Sequence, residues 1–475
     1  MFSDSVMQRN FSHKQSISTT IIVAVVIVII AVAGVGAYAL TVKPSATTVT
    51  ATSTTTGSAK TTTATLTTTA TTSEAPVTLS VWDTYTPGSG EQIAFNKTIS
   101  TFSTTYPWIT LNVQTQAFSA AESDYITAAL ANQAPDVLRA ANDWTGSLVA
   151  QGFLQPLTTL ANSTFLAQYT SGSIGAYSIN GKLYGLAENT NGLALLYNKA
   201  LFSAAGLSGP PTSTNGTTNS ITSDSAALLA KNSSTIPIIF PSNNGYWWFP
   251  WLFGYNGVIF TPGVPPNPQI NSTAAVDATA YLNYLVNQGY MPPQPSDSDM
   301  TAAFCDGQAA MILDGPWDIS MYNSCPGLSW AATPMPNVTT TGLPLAPTWG
   351  YQGWVISSGL PLNVQQAAFD FISFVSSYNA QANLFTYAED LPTNVALASS
   401  TLITGNSTAA GFAAQGLLAA NAYGYNSAAM NNVWTPVGNA LVAAEPTSQS
   451  QIVTIPTIQS QLDTAETAII TANGG

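Results

Sequence analysis

Charged side chains are scarce in this sequence. Of its 475 residues, 9 are Lys or Arg and 22 are Asp or Glu, which is 7% charged, against about 25% in an ordinary soluble domain. The net charge is −13, and no Lys or Arg follows Lys231. Because nucleic-acid binding relies on cations that neutralise phosphates, this scarcity excludes DNA and RNA as partners.

Histidine and cysteine are nearly absent. The sole histidine, His13, precedes a long apolar run, so Ser-His-Asp and Cys-His catalysis are excluded from everything after that run. The only cysteines, Cys305 and Cys325, favour a disulfide over a metal site, since no later histidine completes a zinc set. No Gly-rich phosphate loop is present. We therefore expect neither a metal nor a cofactor.

The longest apolar run is residues 17–42. At about 1.5 Å per residue it exceeds the roughly 30 Å of membrane hydrocarbon. Arg9 and Lys14 before it keep a cytoplasmic leader, residues 1–16, inside the cell and send the rest outside. Three interpretations of this segment remain. It is cleaved off as a secretory signal, it is processed just ahead of the run as in archaeal prepilin-like signals, or it is retained uncut. We predict an anchor at the outer face of the cell membrane, and secretion if the segment is removed.

Residues 43–76 predict a Ser/Thr-rich linker. Between Pro44 and Ser73, 20 of 30 residues are Ser or Thr, a composition that cannot build a packed core. The exported part carries seven N-x-Ser/Thr sequons, which together with export predict an N-glycosylated surface protein. Their asparagines are Asn96, Asn162, Asn215, Asn232, Asn271, Asn337 and Asn406.

The scarcity of cations also suggests an acidic habitat. In strong acid, carboxylates lose their charge while Lys and Arg keep theirs, so a chain rich in cations repels itself. Only five Lys or Arg follow residue 76. We therefore interpret the chain as the surface protein of an acidophile.

Residues 77–475 alternate strand and helix patterns in the order βαβαβ at their start, which predicts an α/β fold with mainly parallel sheets. The length exceeds one such sheet and favours two lobes. We expect the first lobe at about 77–188 and 349–390, and the second at about 191–345 and 393–475.

Aromatic residues are in excess, with 11 Trp and 19 Tyr. Flat rings offer apolar surface to the CH faces of sugars, and neighbouring Asp, Asn and Gln chelate the hydroxyls. Paired carboxylates keep a glycosidase open as an alternative. These pairs are Asp297/Asp299, Asp314/Asp318 and Glu389/Asp390.

Five motifs in register resemble extracellular solute-binding protein family 1, the maltose-binding-protein-like receptors of ABC sugar importers. They are the opening strand at 79–82, the "PD(V/I)" segment at 134–154, the "YGxP…YNK" stretch at 182–199, "GxxAMxxxGxW" at 307–317 and the inter-lobe strand at 350–359. Together they cover nearly the whole exported part.

The resemblance implies a type II periplasmic-binding-protein fold, in which two lobes close on a ligand, with an ABC permease as partner. It also implies no enzymatic activity. The ligand is expected to be a sugar of two or more units. The ligand-binding residues implied by the motifs are Asp143, Trp144, Asn191, Tyr246, Trp247, Trp317, Trp349, Tyr351 and Trp434.

Two departures from the family bear on the ligand. Trp144 stands where relatives have a basic ligand contact, and Ala140 stands where they have a tryptophan. The exact maltodextrin pocket is therefore not implied, and an anionic ligand is disfavoured. A surface adhesion or structural protein on the same scaffold remains the alternative from another class.

Overall fold

The computed structural model describes residues 75–420 and 422–474, together with the backbone of residues 48–53 and 64–69. In the threonine-rich segment, strands β1 (Thr48–Ser53) and β2 (Ala64–Thr69) pair antiparallel. The predicted membrane segment 17–42 and the leader before it lie outside the described residues. Within the part of the chain that the structure describes, no helix is both long and apolar enough to cross a membrane.

A six-stranded sheet forms the first lobe. Its strands, in order across the sheet, are β16 (Leu391–Pro392), β8 (Gly185–Asn191), β15 (Gly350–Ile356), β5 (Val137–Ala141), β3 (Val77–Asp83) and β4 (Ile109–Thr115). The strands β3, β4 and β5 run parallel, whereas β15 runs antiparallel to both β5 and β8. The carboxyl ends of β5 and β8 therefore meet at one edge of the sheet.

Helices and one short hairpin complete the first lobe. They are α1 (Gly90–Thr105), α2 (Phe118–Leu130), α3 (Thr145–Ala150), α4 (Ser163–Leu166), α5 (Ser171–Ala176), α12 (Leu362–Val375) and α13 (Tyr378–Ala388), with β6 (Ser178–Ile179) and β7 (Lys182–Leu183). The chain order β3–α1–β4–α2–β5 is the predicted βαβαβ order.

A four-stranded sheet forms the second lobe. In order across the sheet its strands are β10 (Ile236–Ile239), β13 (Ala309–Asp314), β9 (Ala194–Asn198) and β14 (Trp330–Thr333). A separate hairpin joins β11 (Phe260–Thr261) to β12 (Asn267–Pro268). Longer helices are α7 (Ile221–Lys231), α8 (Gly245–Gly254), α9 (Thr273–Asn287), α10 (Asp297–Cys305), α16 (Ser407–Gly416), α17 (Trp434–Ala444) and α18 (Ile455–Ala472). Shorter ones are α6 (Lys199–Ala204), α11 (Ile319–Ser324), α14 (Val395–Ala398) and α15 (Thr401–Thr404).

Hydroxyl and amide side chains cap the N-termini of several of these helices. The Ser89 hydroxyl accepts from the backbone N–H of Gln92 at 3.2 Å, ahead of α1. The Asn244 side chain accepts from the N–H of Tyr246 at 2.9 Å, ahead of α8. Such caps each stabilise a helix by about 1 kcal/mol.

Each lobe has its own hydrophobic core. Trp354 is completely buried in the first, and Trp248 and Trp251 are completely buried in the second. Along the chain, the first core runs from Val77 to Ala187 and resumes from Trp354 to Leu384, whereas the second core begins at Leu193. This division confirms the predicted two-lobed α/β architecture. The expectation of mainly parallel sheets is wrong, because β15 and β9 each pair antiparallel with both neighbours, and five of the eight strand pairings in the two sheets are antiparallel.

The only arginine of the described residues lies inside the first lobe. Arg139, on β5, forms ion pairs with Glu188 and Glu91 and lies 4.0 Å over the ring of Tyr85. The other oxygen of Glu188 accepts from the indole of Trp354 at 2.6 Å. Because its donors are used within the core, this arginine stabilises the lobe and does not face a ligand.

The chain first crosses between the lobes from β8 to β9, at Gly192. The ring of Trp349 packs against this glycine, since a Cβ added at Gly192 would lie 2.6 Å from a carbon of that ring. The same ring packs against Gly416, where an added Cβ would lie 2.8 Å from a ring carbon. Trp349 precedes β15, the strand with which the chain re-enters the first lobe. Its ring is therefore a packing element of the hinge.

Candidate functional site

The candidate site lies at the carboxyl ends of two strands, one in each lobe, where ligands bind in open α/β sheets. On the first lobe, β5 ends in a 3₁₀ turn, Asn142–Trp144. On the second lobe, β13 ends at Asp314 and is followed by Gly315 and the 3₁₀ turn Pro316–Asp318. The Asn142 side chain accepts from the backbone N–H of Tyr351 at 3.0 Å, which ties the first turn to β15.

Asp143 joins the two sides of the site. It is 9% exposed and lies beside the indole of Trp434, at the start of α17 in the second lobe. Burial raises the pKa of Asp143 to about 6, although the neighbouring Trp434 indole opposes the rise. The structure thus brings together two predicted site residues that lie 291 positions apart.

An aromatic cluster surrounds Asp143. It consists of Tyr246, Trp317, Tyr425 and Trp434. The rings of Tyr246 and Trp317 are 6.1 Å apart, and those of Tyr425 and Trp434 are 6.3 Å apart. Burial first, and then the charge of Asp143, raise the pKa values of both Tyr246 and Tyr425. These rings therefore lie near the Asp143 carboxyl group and offer surfaces for stacking on the second lobe.

Trp317 is positioned by its neighbour Gly315. A Cβ added at Gly315 would overlap the Trp317 ring, so the ring folds back over the glycine. Trp247, which also faces this region from α8, donates its indole N–H to the carbonyl of Leu313 at 2.8 Å. That bond anchors Trp247 to β13.

Four predicted site residues lie away from the aromatic cluster. Trp144 packs on Phe118 with ring centroids 5.0 Å apart and belongs to the first core. Asn191 pairs with Gly350 across β8 and β15. Tyr351, with Trp349, lies at the hinge, and burial raises its pKa.

Three second-lobe carboxyl groups approach one another. Single oxygens of Asp297, Asp314 and Asp318 all lie within 4.8 Å of each other. Carboxylate oxygens are ligands for hard cations. However, Asp314 already accepts from the Tyr322 hydroxyl and from the N–H of Gly315, and burial, then the charge of Asp318, raise its pKa well above the ordinary value. The arrangement is that of proton-sharing carboxyl groups.

The structure pairs Cys305 with Cys325 in a disulfide, with Cα atoms 5.2 Å apart. The bond joins the end of α10 to the end of α11. Both segments flank β13 in the chain, so the bond closes a loop of about 20 residues around that strand.

Two residues of the candidate site, Glu122 and Tyr425, were not predicted from the sequence. Glu122, on α2, has one carboxyl oxygen, Oε1, that is buried without a hydrogen-bond partner. Burial, then the charge of Asp143, raise the Glu122 pKa to about 8. Tyr425 comes from a loop far along the chain. Neither belongs to a motif, and a lone acid on an amphipathic helix gives no signal.

The lobes touch beside the site. Gly146, on α3, packs against the segment 426–428, because an added Cβ would lie 2.5 Å from the carbonyl carbon of Ser427 and 2.7 Å from the nitrogen of Ala428. Next to it, Asn431 donates to the Ser147 hydroxyl at 3.2 Å. Ala429 and Met430 belong to the second core, so this is a contact between lobes, which we name the lobe contact.

A cavity of about 310 Å³ lies elsewhere, on the second lobe. Its lining is mainly apolar and includes Phe253, Val258, Phe260 and Leu343. It has no carboxylate or amide side chain to chelate hydroxyls. Of the predicted site residues, Tyr246, Trp317 and Trp434 instead group with Asp143 at the strand ends of the two lobes.

Comparison with known proteins identifies the architecture. The family model for bacterial extracellular solute-binding proteins matches residues 97–412. The maltodextrin-binding protein MdxE of Bacillus subtilis is 26% identical over 276 residues, 56% of this chain and 62% of that protein. The galactooligosaccharide-binding protein of the same organism is 24% identical over 320 residues, 66% of this chain and 72% of that protein. The chain thus spans about three fifths of the first relative's length.

Solved structures share the fold. The maltose/maltodextrin-binding domain MalE of Bdellovibrio bacteriovorus, bound to maltotriose, has a TM-score of 0.72 at 17% identity, covering 83% of this chain and 99% of that one. The maltotriose-binding protein of Thermus thermophilus has a TM-score of 0.70 at 22% identity, covering 82% and 100%.

Proposed function

The chain belongs to the family of bacterial extracellular solute-binding proteins, and on that premise we propose that it is the substrate-binding subunit of an ABC transporter. It captures a saccharide between its lobes and delivers it to a permease. The family is one of binding proteins and not of enzymes, which argues against the glycosidase alternative.

The observation that carries the proposal is the approach of Asp143, from the first lobe, to the aromatic cluster of the second lobe. Aromatic faces stack on the CH faces of sugar rings, and a carboxylate accepts from their hydroxyls. Both kinds of group converge here from opposite lobes. A saccharide held by both would draw the lobes together.

Names of relatives support an oligosaccharide as substrate. By their names, MdxE binds maltodextrin and the second Bacillus subtilis relative binds galactooligosaccharide. We therefore infer a ligand of two or more sugar units. Trp317 and Tyr246 are proposed to stack on it, and Asp143 to accept from its hydroxyls.

Closure is the proposed mechanism. The open form exposes Asp143 and the aromatic cluster to ligand. Binding removes water from these groups. Because the ligand contacts both lobes only in the closed form, it binds that form more tightly than the open form and shifts the equilibrium towards closure. The permease then recognises the closed form. The ligand contacts inferred from the motifs stay predictions for Trp144, Asn191, Trp247, Trp349 and Tyr351. The hydrogen bond of Trp247 to Leu313 and the packing of Trp349 on Gly192 suit these two residues to positioning their neighbouring strands.

We also propose that residues 17–42 anchor the receptor to the outer face of the membrane and that its domain is N-glycosylated. Four of the seven sequon asparagines are exposed and three are half-buried. Two of the half-buried amides, of Asn271 and Asn406, donate to carboxylates, so the four exposed asparagines are the favoured sites. Raised carboxyl pKa values throughout the site fit the surface of an acidophile, of the archaeal kind that the leader suggests.

The experiment that tests the function is a tryptophan-fluorescence titration of the purified full-length chain against mono-, di- and oligosaccharides, at pH 3 and pH 6. We expect saturable binding near micromolar, about −8 kcal/mol, to one saccharide class. Folded protein that gives no response across the panel would refute the receptor function and favour the adhesion alternative.

A further inference from the structure

Phe118 is a further aromatic side chain at the ligand-binding edge of the first lobe. It begins α2 and is 47% exposed. Helix α2 follows β4, and the strands β4, β3 and β5 run parallel. The start of α2 therefore lies at the same edge of the sheet as the turn that carries Asp143, since both follow the carboxyl ends of parallel strands.

Trp144 holds the Phe118 ring in place. The centroids of the two rings are 5.0 Å apart and their planes meet at 39°, and Trp144 is only 7% exposed. Trp144 also follows Asp143 directly in the 3₁₀ turn Asn142–Trp144. Because Phe118 already packs on a buried ring, a ligand that covers it loses little affinity to ordering the side chain.

The pair of Phe118 and Trp144 lies beside the second lobe. Trp144 directly precedes α3, whose residues Gly146 and Ser147 touch the second lobe at residues 426–431. Tyr425, a member of the aromatic cluster, directly precedes that segment. Phe118 stays exposed although the lobes touch here, so it lies at the rim of the region between them.

A lone exposed apolar side chain needs no ligand, because most protein surfaces carry some. Phe118 differs in its setting. It has a buried ring behind it and the turn of the candidate site beside it, and its chain neighbours carry no charge: Ala117, Ser119 and Ala120. A flat, fixed ring in such a place is suited to stack on the CH face of a sugar.

We propose that Phe118 forms an outer subsite, on which one sugar unit stacks beyond the units held by Asp143 and the aromatic cluster. The inference rests on the proposed function and specifies its substrate, a chain of at least three sugar units. Trp144 is a positioning residue, because it acts on the ligand through Phe118. A disaccharide on the inner units leaves Phe118 uncovered, so this ring selects for the length of the saccharide.

The test is isothermal titration calorimetry of the full-length chain with two series, maltose to maltotetraose and the galactooligosaccharides of two to four units. In the series that binds, we expect the third unit to tighten binding about three- to tenfold, the effect of one stacking ring. Phe118→Leu keeps an apolar side chain over Trp144 but removes the flat face, so this gain should disappear while the disaccharide binds as before. Phe118→Tyr keeps the ring and should retain the gain.

Leu130→Ala is the matched control, because Leu130 is 70% exposed at the opposite end of α2 and should not affect the gain. The inference is overturned, with the receptor function intact, by equal Kd values for two and three units in the wild type, by a gain that survives Phe118→Leu, by an equal loss for both lengths, or by a loss as large in Phe118→Tyr. Binding of another saccharide but of neither series would overturn it as well. Absence of binding to any saccharide would instead refute the proposed function and this inference with it.

Discussion

Replacing Gly146 with alanine should weaken ligand binding by preventing full closure. The added Cβ would lie 2.5 Å from the Ser427 carbonyl carbon and 2.7 Å from the Ala428 nitrogen. Both are backbone atoms, which cannot rotate away as a side chain can. The lobes must therefore stay apart by several tenths of an ångström at this point, and the 3.2 Å bond from Asn431 to Ser147 lengthens.

Overpacking of this kind costs about 1–3 kcal/mol. If that cost falls on the closed form alone, the Kd rises by about 5- to 150-fold, since about 1.4 kcal/mol corresponds to tenfold. The assay is calorimetric titration with the saccharide that binds the wild type best, together with a thermal melt of the unliganded chain. We expect the melt to be nearly unchanged, because in the proposed mechanism the unliganded chain opens and breaks the lobe contact.

Gly175→Ala is the matched control. Gly175 lies in α5 of the same lobe, and no atom lies within 4 Å of its added Cβ, so its Kd should equal that of the wild type. The reasoning is refuted if Gly146→Ala binds like the wild type, or if the melting temperature falls while the Kd does not change.

Three further predictions follow from the site. Trp317→Ala should weaken saccharide binding at least about tenfold through lost stacking, whereas Trp317→Phe should lose less affinity. Equal Kd values for both variants and the wild type would show that the ring is only a packing element. Urea titrations should find the fold less stable as pH rises from about 4 to about 6, because the folded form holds the Asp143 proton, with a pKa near 6, more tightly than the unfolded chain does. The effect is about 3 kcal/mol, and Asp143→Asn should remove part of it; greater stability at pH 7 than at pH 4 would contradict this sign. Replacing Cys305 and Cys325 by serine together should lower the free energy of unfolding by about 3 kcal/mol, the chain-entropy value for a loop near 20 residues, and an unchanged urea midpoint would count against a stabilising bond.

The architecture was predictable because local patterns report it directly. Alternation of strand and helix between Val77 and Ala141 sets the parallel start of the first sheet. The motif order then places Asp143 after β5 and Trp317 after β13, at the ends of strands where ligands bind. Such positions follow from the topology alone, without knowledge of side-chain contacts.

Contacts between distant segments were not predictable. Trp247 and Trp248 are adjacent in α8, yet Trp247 faces β13 and Trp248 is completely buried. A helix this rich in aromatic residues has no polar face in its sequence to reveal that difference. Trp349 packs on a hinge glycine that lies 157 residues earlier. Glu122 approaches Asp143 only once the first lobe has folded, and Tyr425 only once both lobes have folded, so neither has a local pattern to mark it.

The central claim is that a saccharide binds between the lobes and holds them closed. A crystal structure of the full-length chain with its tightest-binding saccharide tests this most directly. The account predicts a sugar ring stacked on Trp317, a polar group of the ligand on Asp143, and Gly146 in contact with residues 426–428. A saccharide bound to one lobe alone, or in the apolar cavity beside Phe260, would contradict it.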